Sequence, residues 1–213
     1  TTNAPTIIAP TITPTTTSTS TLTTTITTAI TKNIPDMGMP MSYLSRLFDN
    51  FHCVQKDSLY RSKQLPAKKL KRYIKKYNIK SVINLRGENK HMRWWQKENQ
   101  VTKECGIKFY NIPMRAQALS KKENIYKLLR VYKEAPRPIL MHCKSGSDRT
   151  GEAAALWKLE EEKASKKNAF KQLSMRYGYF RHRRPAKYFL IQIWQDCNWF
   201  ACQYDHKNYP IIT

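Results

Sequence analysis

The sequence is defined first by what it lacks. No stretch is apolar and long enough to span a membrane. No basic start with an apolar core marks a secretory signal. Acidic side chains are scarce: 15 Asp and Glu stand against 38 Lys and Arg, a formal net charge of +23. The first 31 residues carry no charge at all, so that excess falls on the remainder. The five cysteines are an odd set without a paired framework. Neither His52-Cys53 nor His142-Cys143 has the repeat spacing of a zinc site. These absences leave a basic chain with free thiols and a reason to meet anionic partners.

The uncharged start is almost entirely Thr, Ile, Ala, Pro and Ser, without aromatics or a regular period. It predicts disorder from Thr1 to about Asp36. Residues 1–45 are read as a Thr-rich tail or linker, a spacer with no chemistry of its own. Residues 46–213 are read as one catalytic domain.

What is present is concentrated in His142-Cys-Lys-Ser-Gly-Ser-Asp-Arg-Thr-Gly151. Pro138–Met141 before it reads as a short buried strand, and Glu152–Leu159 after it as a helix. A loop entering a helix N-terminus offers free N–H groups and a favourable dipole to an anion. Cys143 falls at the floor of that loop, where amides, helix and Arg149 would stabilise its thiolate. Arg149 can hold two phosphate oxygens in a fork. Gly146 lets the chain turn, so Lys144, Ser145, Gly146 and Ser147 can surround the ligand. Thr150 places a hydroxyl beside the sulfur. The set describes a nucleophilic cysteine under a phosphate cradle, forming a covalent thiophosphate. An ordinary buried cysteine would require neither the arginine nor the glycines at that spacing.

The signature His-Cys-x5-Arg-Thr resembles the cysteine-dependent protein tyrosine phosphatases, especially the compact dual-specificity branch of bacterial and fungal type. Leu59-Tyr-Arg-Ser-Lys-Gln-Leu65, Ser81-Val-Ile-Asn-Leu-Arg-Gly-Glu88 and Ile107-Lys-Phe-Tyr-Asn-Ile-Pro113 extend the resemblance over about residues 50 to 200. The resemblance implies phosphomonoester hydrolysis without metal or cofactor, and a His142 that buttresses the loop. A catalytic thiolate also calls for the cytoplasm or another reducing compartment. A start at Thr1 leaves export open.

The chain between these motifs predicts an α/β fold with a mostly parallel central sheet flanked by helices. Phe51–Ser62 reads as a strand or hairpin entry. Helices are expected over Pro66–Tyr77 and His91–Cys105, and strands over Lys80–Leu85, Ile107–Ile112 and residues 138–142. Ser120 and Glu123 form a capping-box pattern opening a helix to about Glu134. Further helices are expected from Thr150 to about Lys163, from Ser165 to Tyr177 closed by Gly178, and from Pro185 to Phe200. Cys197 and Cys202 fall on the last of these, as core or near-surface thiols.

The leaving group needs a proton. The resemblance implies an Asp in the loop after Ile107–Ile112, yet Pro113–Ser120 holds no acid. Asp148 is the leading replacement, because Asp-Arg-Thr is similar to the loops of several phosphoinositide phosphatases. An alternative role for Asp148 is an ion pair holding the loop. Glu88, Asp57 and a water are weaker options.

Three functions stay open. One is a protein phosphatase acting on phosphotyrosine or phosphoserine/threonine, placed first on the flanking motifs. Another acts on phosphoinositides or inositol polyphosphates, with an RNA 5′-phosphatase as a minor variant and nucleic acid otherwise not expected. The third is an inactive phosphate-binding module. Lys144 and Arg115 would serve a second phosphate. Arg181-His-Arg-Arg184 and the Lys68, Lys69, Lys71, Arg72, Lys75 and Lys76 cluster would face an anionic membrane surface or solvent. Trp94 and Trp95 either rim a pocket or pack helix on sheet.

Overall fold

The computed structural model of the protein describes residues 46–209, so the disorder expected for the Thr-rich tail lies outside the described residues. After a helical turn at 46–49 come β1 (His52–Gln55) and β2 (Leu59–Lys63), an antiparallel hairpin. The chain continues as α1 (Ala67–Lys76), β3 (Ser81–Asn84), α2 (Arg93–Glu104), β4 (Lys108–Asn111), α3 (Lys122–Glu134) and β5 (Ile139–Cys143). It continues with α4 (Asp148–Glu160), α5 (Lys166–Phe170), α6 (Pro185–Ile193) and α7 (Cys197–Gln203), with short 3-10 turns between α5 and α6 and a last one at His206–Asn208. The sheet order is β1-β2-β5-β3-β4, and every pairing except β1 with β2 is parallel. This is the α/β architecture the sequence predicts.

All five residues of β5 are buried, as expected of a central strand covered on both faces. Strand alternation divides its side chains between two cores. Ile139, Met141 and Cys143 join the core formed with α3, α4, α6 and α7. Leu140 joins Val82, Leu70, Tyr73, Ile74 and Val101 in the core under α1 and α2. Helix α4 buries Ala153, Ala154, Ala155, Leu156 and Trp157. Its small residues let the helix lie close to its neighbours on all sides.

Some boundaries differ from expectation. Helix α3 starts at Lys122 without a side-chain cap. Ser120 Oγ instead donates to Glu152 Oε2 at 2.8 Å, so its hydroxyl ties a loop to α4. The helix expected from Ser165 to Tyr177 stops at Phe170, and Met175–Tyr177 is a 3-10 turn. Gly178 closes that turn at φ +73°. The last predicted helix breaks at Trp194, Gln195 and Asp196. Asp196 Oδ1 accepts from Trp199 N and restarts it as α7.

Candidate active site

The register of the sheet builds the site. Lys63, ending β2, lies opposite Cys143, and Asn84, ending β3, lies opposite His142. The loop 144–147 therefore rises from the carboxyl end of the sheet, between two strand ends, and enters α4. Gly146 sits at φ +78°, and a Cβ there would approach Lys63 N and Ser62 C and O to 2.7 Å. No other residue fits that turn without moving the β2 backbone.

Cys143 is 2 % exposed. Its Sγ accepts from Gly146 N at 3.3 Å. Burial pushes the thiol up. Hydrogen bonding from the Thr150 hydroxyl, the charge of Arg149 and the N–H groups of Thr150 and Gly146 outweigh it and hold the thiol below its ordinary value. The Thr150 hydroxyl is buried without any other acceptor. Ser145 and Ser147 share a hydrogen bond between hydroxyls at 2.7 Å, and Lys144 is exposed at the rim.

Asp148, in the first turn of α4, is half-buried. Burial raises its carboxyl more than Arg184, Lys187 and Arg149 lower it. Its Oδ2 lies 3.6 Å from Arg184 Nε. The other acid options are placed differently. Glu88 is exposed and pairs with Lys90 at 3.5 Å. Asp57 lies in the β1–β2 turn, at the opposite end of β2 from Cys143, roughly 13 Å or more along the strand. Strand geometry removes it from the reaction. Arg115 is exposed, and the loop carrying it is anchored by Met114 and Leu119, both buried.

Residues 46–186 match a family model described as DSP-PTPase phosphatase fused to NAD+ kinase. The chain belongs to this phosphatase family. The fold agrees. TpbA of P. aeruginosa superposes with a TM-score of 0.56 at 20% identity, over 69% of this chain and 86% of that one. The catalytic domain of the PP-IP phosphatase Siw14 of S. cerevisiae gives 0.56 at 24% identity, over 68% and 85%. A TpbA variant with phosphotyrosine bound gives 0.54 at 20% identity, over 68% and 83%. No curated protein matches the chain.

The phosphatase site includes groups the sequence reading did not single out. Arg61 of β2 is fully buried, and its guanidinium donates to Gly146 O at 2.7 Å and to Gln172 O and Oε1 at 2.9 Å. It also stacks 3.9 Å from the centroid of the Tyr177 ring. Burial lowers its pKa to about 10, still far above neutrality, so Arg61 remains a cation behind the phosphate loop. The visible signal was a lone arginine at a strand position flanked by core residues.

Glu98 of α2 is the second such group. It lies 2.6 Å from His142 Nε2, with both side chains buried. Burial would lower the imidazole, but the Glu98 charge and hydrogen bond raise it overall. Glu98 Oε2 also accepts from Gln64 Nε2 at 2.9 Å, and Gln64 Oε1 accepts from Arg86. Arg86 stacks 3.6 Å from the centroid of the Trp94 ring. Trp94 thus supports a cation, while Trp95 packs near Phe109 and donates to Asn111. The basic run 181–184 divides in the same way. Arg181 lies over Tyr188 and Arg184 turns to Asp148.

Proposed function

We propose that the protein is a cysteine-dependent phosphatase that hydrolyses phosphomonoesters, with phosphotyrosine or phosphoserine/threonine proteins as first substrates. One observation carries the reading: a buried thiol at the floor of an amide-lined loop, held below its ordinary pKa beside Arg149. Arg149 and the amides of Lys144 to Asp148 hold the phosphate oxygens. Cys143 Sγ attacks phosphorus, the ester P–O bond breaks, and Asp148 gives its proton to the leaving oxygen. Water then attacks phosphorus and returns a proton to Asp148. The S–P bond breaks, and the Thr150 hydroxyl stabilises the departing thiolate. His142, braced by Glu98, and Arg61 hold the loop from behind.

The test compares wild type and Cys143→Ser on a phosphotyrosine peptide. Phosphate release should fall by roughly a thousandfold or more. A variant as active as wild type refutes the nucleophile. A folded wild type without activity on any phosphomonoester favours a binding module.

A second reading, inositol phosphates as substrates, is favoured by the cations gathered at the site. Burial and then the Arg149 charge depress Arg86, which places the two guanidinium groups in each other's field. Lys144 and Arg184 add positive charge at the rim. A higher kcat/KM on an inositol polyphosphate than on the peptide would select this reading.

A further inference from the structure

Beside the phosphate loop, on the side away from Arg86, lies a cavity of about 390 Å³ that the catalytic scheme does not use. Arg46, Lys63, Ser145, Ser147, Arg176 and Tyr177 line it. Three cations thus meet two hydroxyls of the loop itself. The two hydroxyls share a hydrogen bond at 2.7 Å, and that of Ser147 also bonds the Asp148 carboxyl, so this wall is tied to the first turn of α4. Asn50 fixes the wall by donating to Ser145 O at 3.1 Å and Tyr177 O at 3.0 Å.

Asp49, the acid paired with Lys63, is held more closely by other groups. Asp49 is buried, with Lys69 at 2.8 Å and the Tyr73 hydroxyl at 2.7 Å, and Lys63 stands farther off at 3.9 Å. The field of the cluster is visible on His52. Burial first, then Arg61, Arg176 and Arg46, lower its pKa to about 4, so it stays neutral near physiological pH. Leu47 and Phe48 form the outer rim, 66% and 56% exposed.

We propose that Arg46, Lys63, Arg176 and the hydroxyls of Ser145 and Ser147 form a second phosphate-binding subsite, which holds a phosphate of the substrate other than the one being cleaved. Lysine and arginine around a hydroxyl-bearing wall match the charge and acceptor geometry of a phosphate monoester. The shared wall makes the subsite part of the phosphate loop, so one rigid, multiply phosphorylated molecule can occupy both. This inference rests on the phosphatase reading, because the second subsite has meaning only beside a first.

The test uses the full chain carrying Arg46→Ala with Arg176→Ala. Hydrolysis of p-nitrophenyl phosphate, which has one phosphate, should stay within about twofold of wild type. The KM for a multiply phosphorylated substrate should rise by roughly tenfold or more, since each lost charged hydrogen bond is worth about that factor. Inositol hexakisphosphate and a doubly phosphorylated peptide, run in parallel, distinguish the two sources of a second phosphate. Arg46→Glu alone should act in the same direction and leaves the Tyr177 wall intact. In parallel, binding of inositol hexakisphosphate to Cys143→Ser, with and without the two arginine changes, reads the subsite without turnover. Equal KM changes on one-phosphate and many-phosphate substrates, or unchanged binding, would overturn the proposal. An inactive wild type whose inositol hexakisphosphate binding still depends on Arg46 and Arg176 would sink only the phosphatase reading.

Discussion

Burial raises both Cys143 and Asp148, yet their net shifts are opposite. The thiol is held down by donors and a cation, while the carboxyl is held up by its partly dry setting. The proposed reaction needs those two states together: a thiolate and a protonated acid. Activity on alkyl phosphates should therefore rise with pH as Cys143 ionises and fall as Asp148 loses its proton. Asp148→Asn should cost roughly a hundredfold on alkyl phosphates, which need the proton, and far less on p-nitrophenyl phosphate. Equal losses on both would assign Asp148 to the Arg184 ion pair instead. Arg61 carries a separate expectation. Arg61→Met leaves Gly146 O and Gln172 O without their buried donor, and thermal denaturation should show a loss of about 3 kcal/mol or more.

At the scale of elements, two buried ion pairs fasten helices to the site. His142 on β5 is raised above 6.5 by Glu98 on α2, once burial is overcome. That stabilisation is complete below pH 6.5 and disappears as pH rises through the raised folded value. Glu98→Gln should accordingly destabilise the fold more at pH 6 than at pH 9, measured by chemical denaturation. Lys187 on α6 donates to Glu152 on α4 at 2.9 Å and to Ala118 O at 2.9 Å. Burial raises the Glu152 carboxyl and lowers Lys187, so the pair costs solvation that its mutual contact and the hydrogen bonds to Ser120 and Ala118 O offset. Lys187→Met should lose about 3–5 kcal/mol, because a buried carboxylate remains behind. The elements themselves were largely legible in the chain. Leu70, Tyr73 and Ile74 gave α1 its period, and the β-branched run Ser81–Leu85 gave β3 its strand. Cys143, Thr150 and Gly146 could be placed because their spacing is local. Ser120 was misread as a cap, since its real partner, Glu152, is 32 residues away. The roles of Arg61 and Glu98 were hidden for the same reason, even where the strand position of Arg61 was a signal: their partners come from strands and helices that only the fold brings near.

At the scale of the whole molecule, the net charge of +23 should act over distance as well as in the site. Turnover of a many-charged substrate should drop steeply between about 0.1 and 1 M salt, as the screening length falls from about 10 to about 3 Å. A singly phosphorylated aryl substrate should lose much less over that range. The five thiols lead to another consequence, one of selectivity. Burial pushes Cys197 up to about 11 and also raises Cys53, whereas Cys143 moves the other way. Cys143 is also the thiol under the loop proposed to hold phosphate, and it accepts from the Gly146 amide. An anionic alkylating reagent such as iodoacetate, used in mild acid, should thus label Cys143 well ahead of Cys53 and Cys197. Inorganic phosphate should protect that thiol in proportion to its occupancy. The labelling that phosphate blocks would count the competent molecules in any preparation, turning a pKa ordering into an active-site titration.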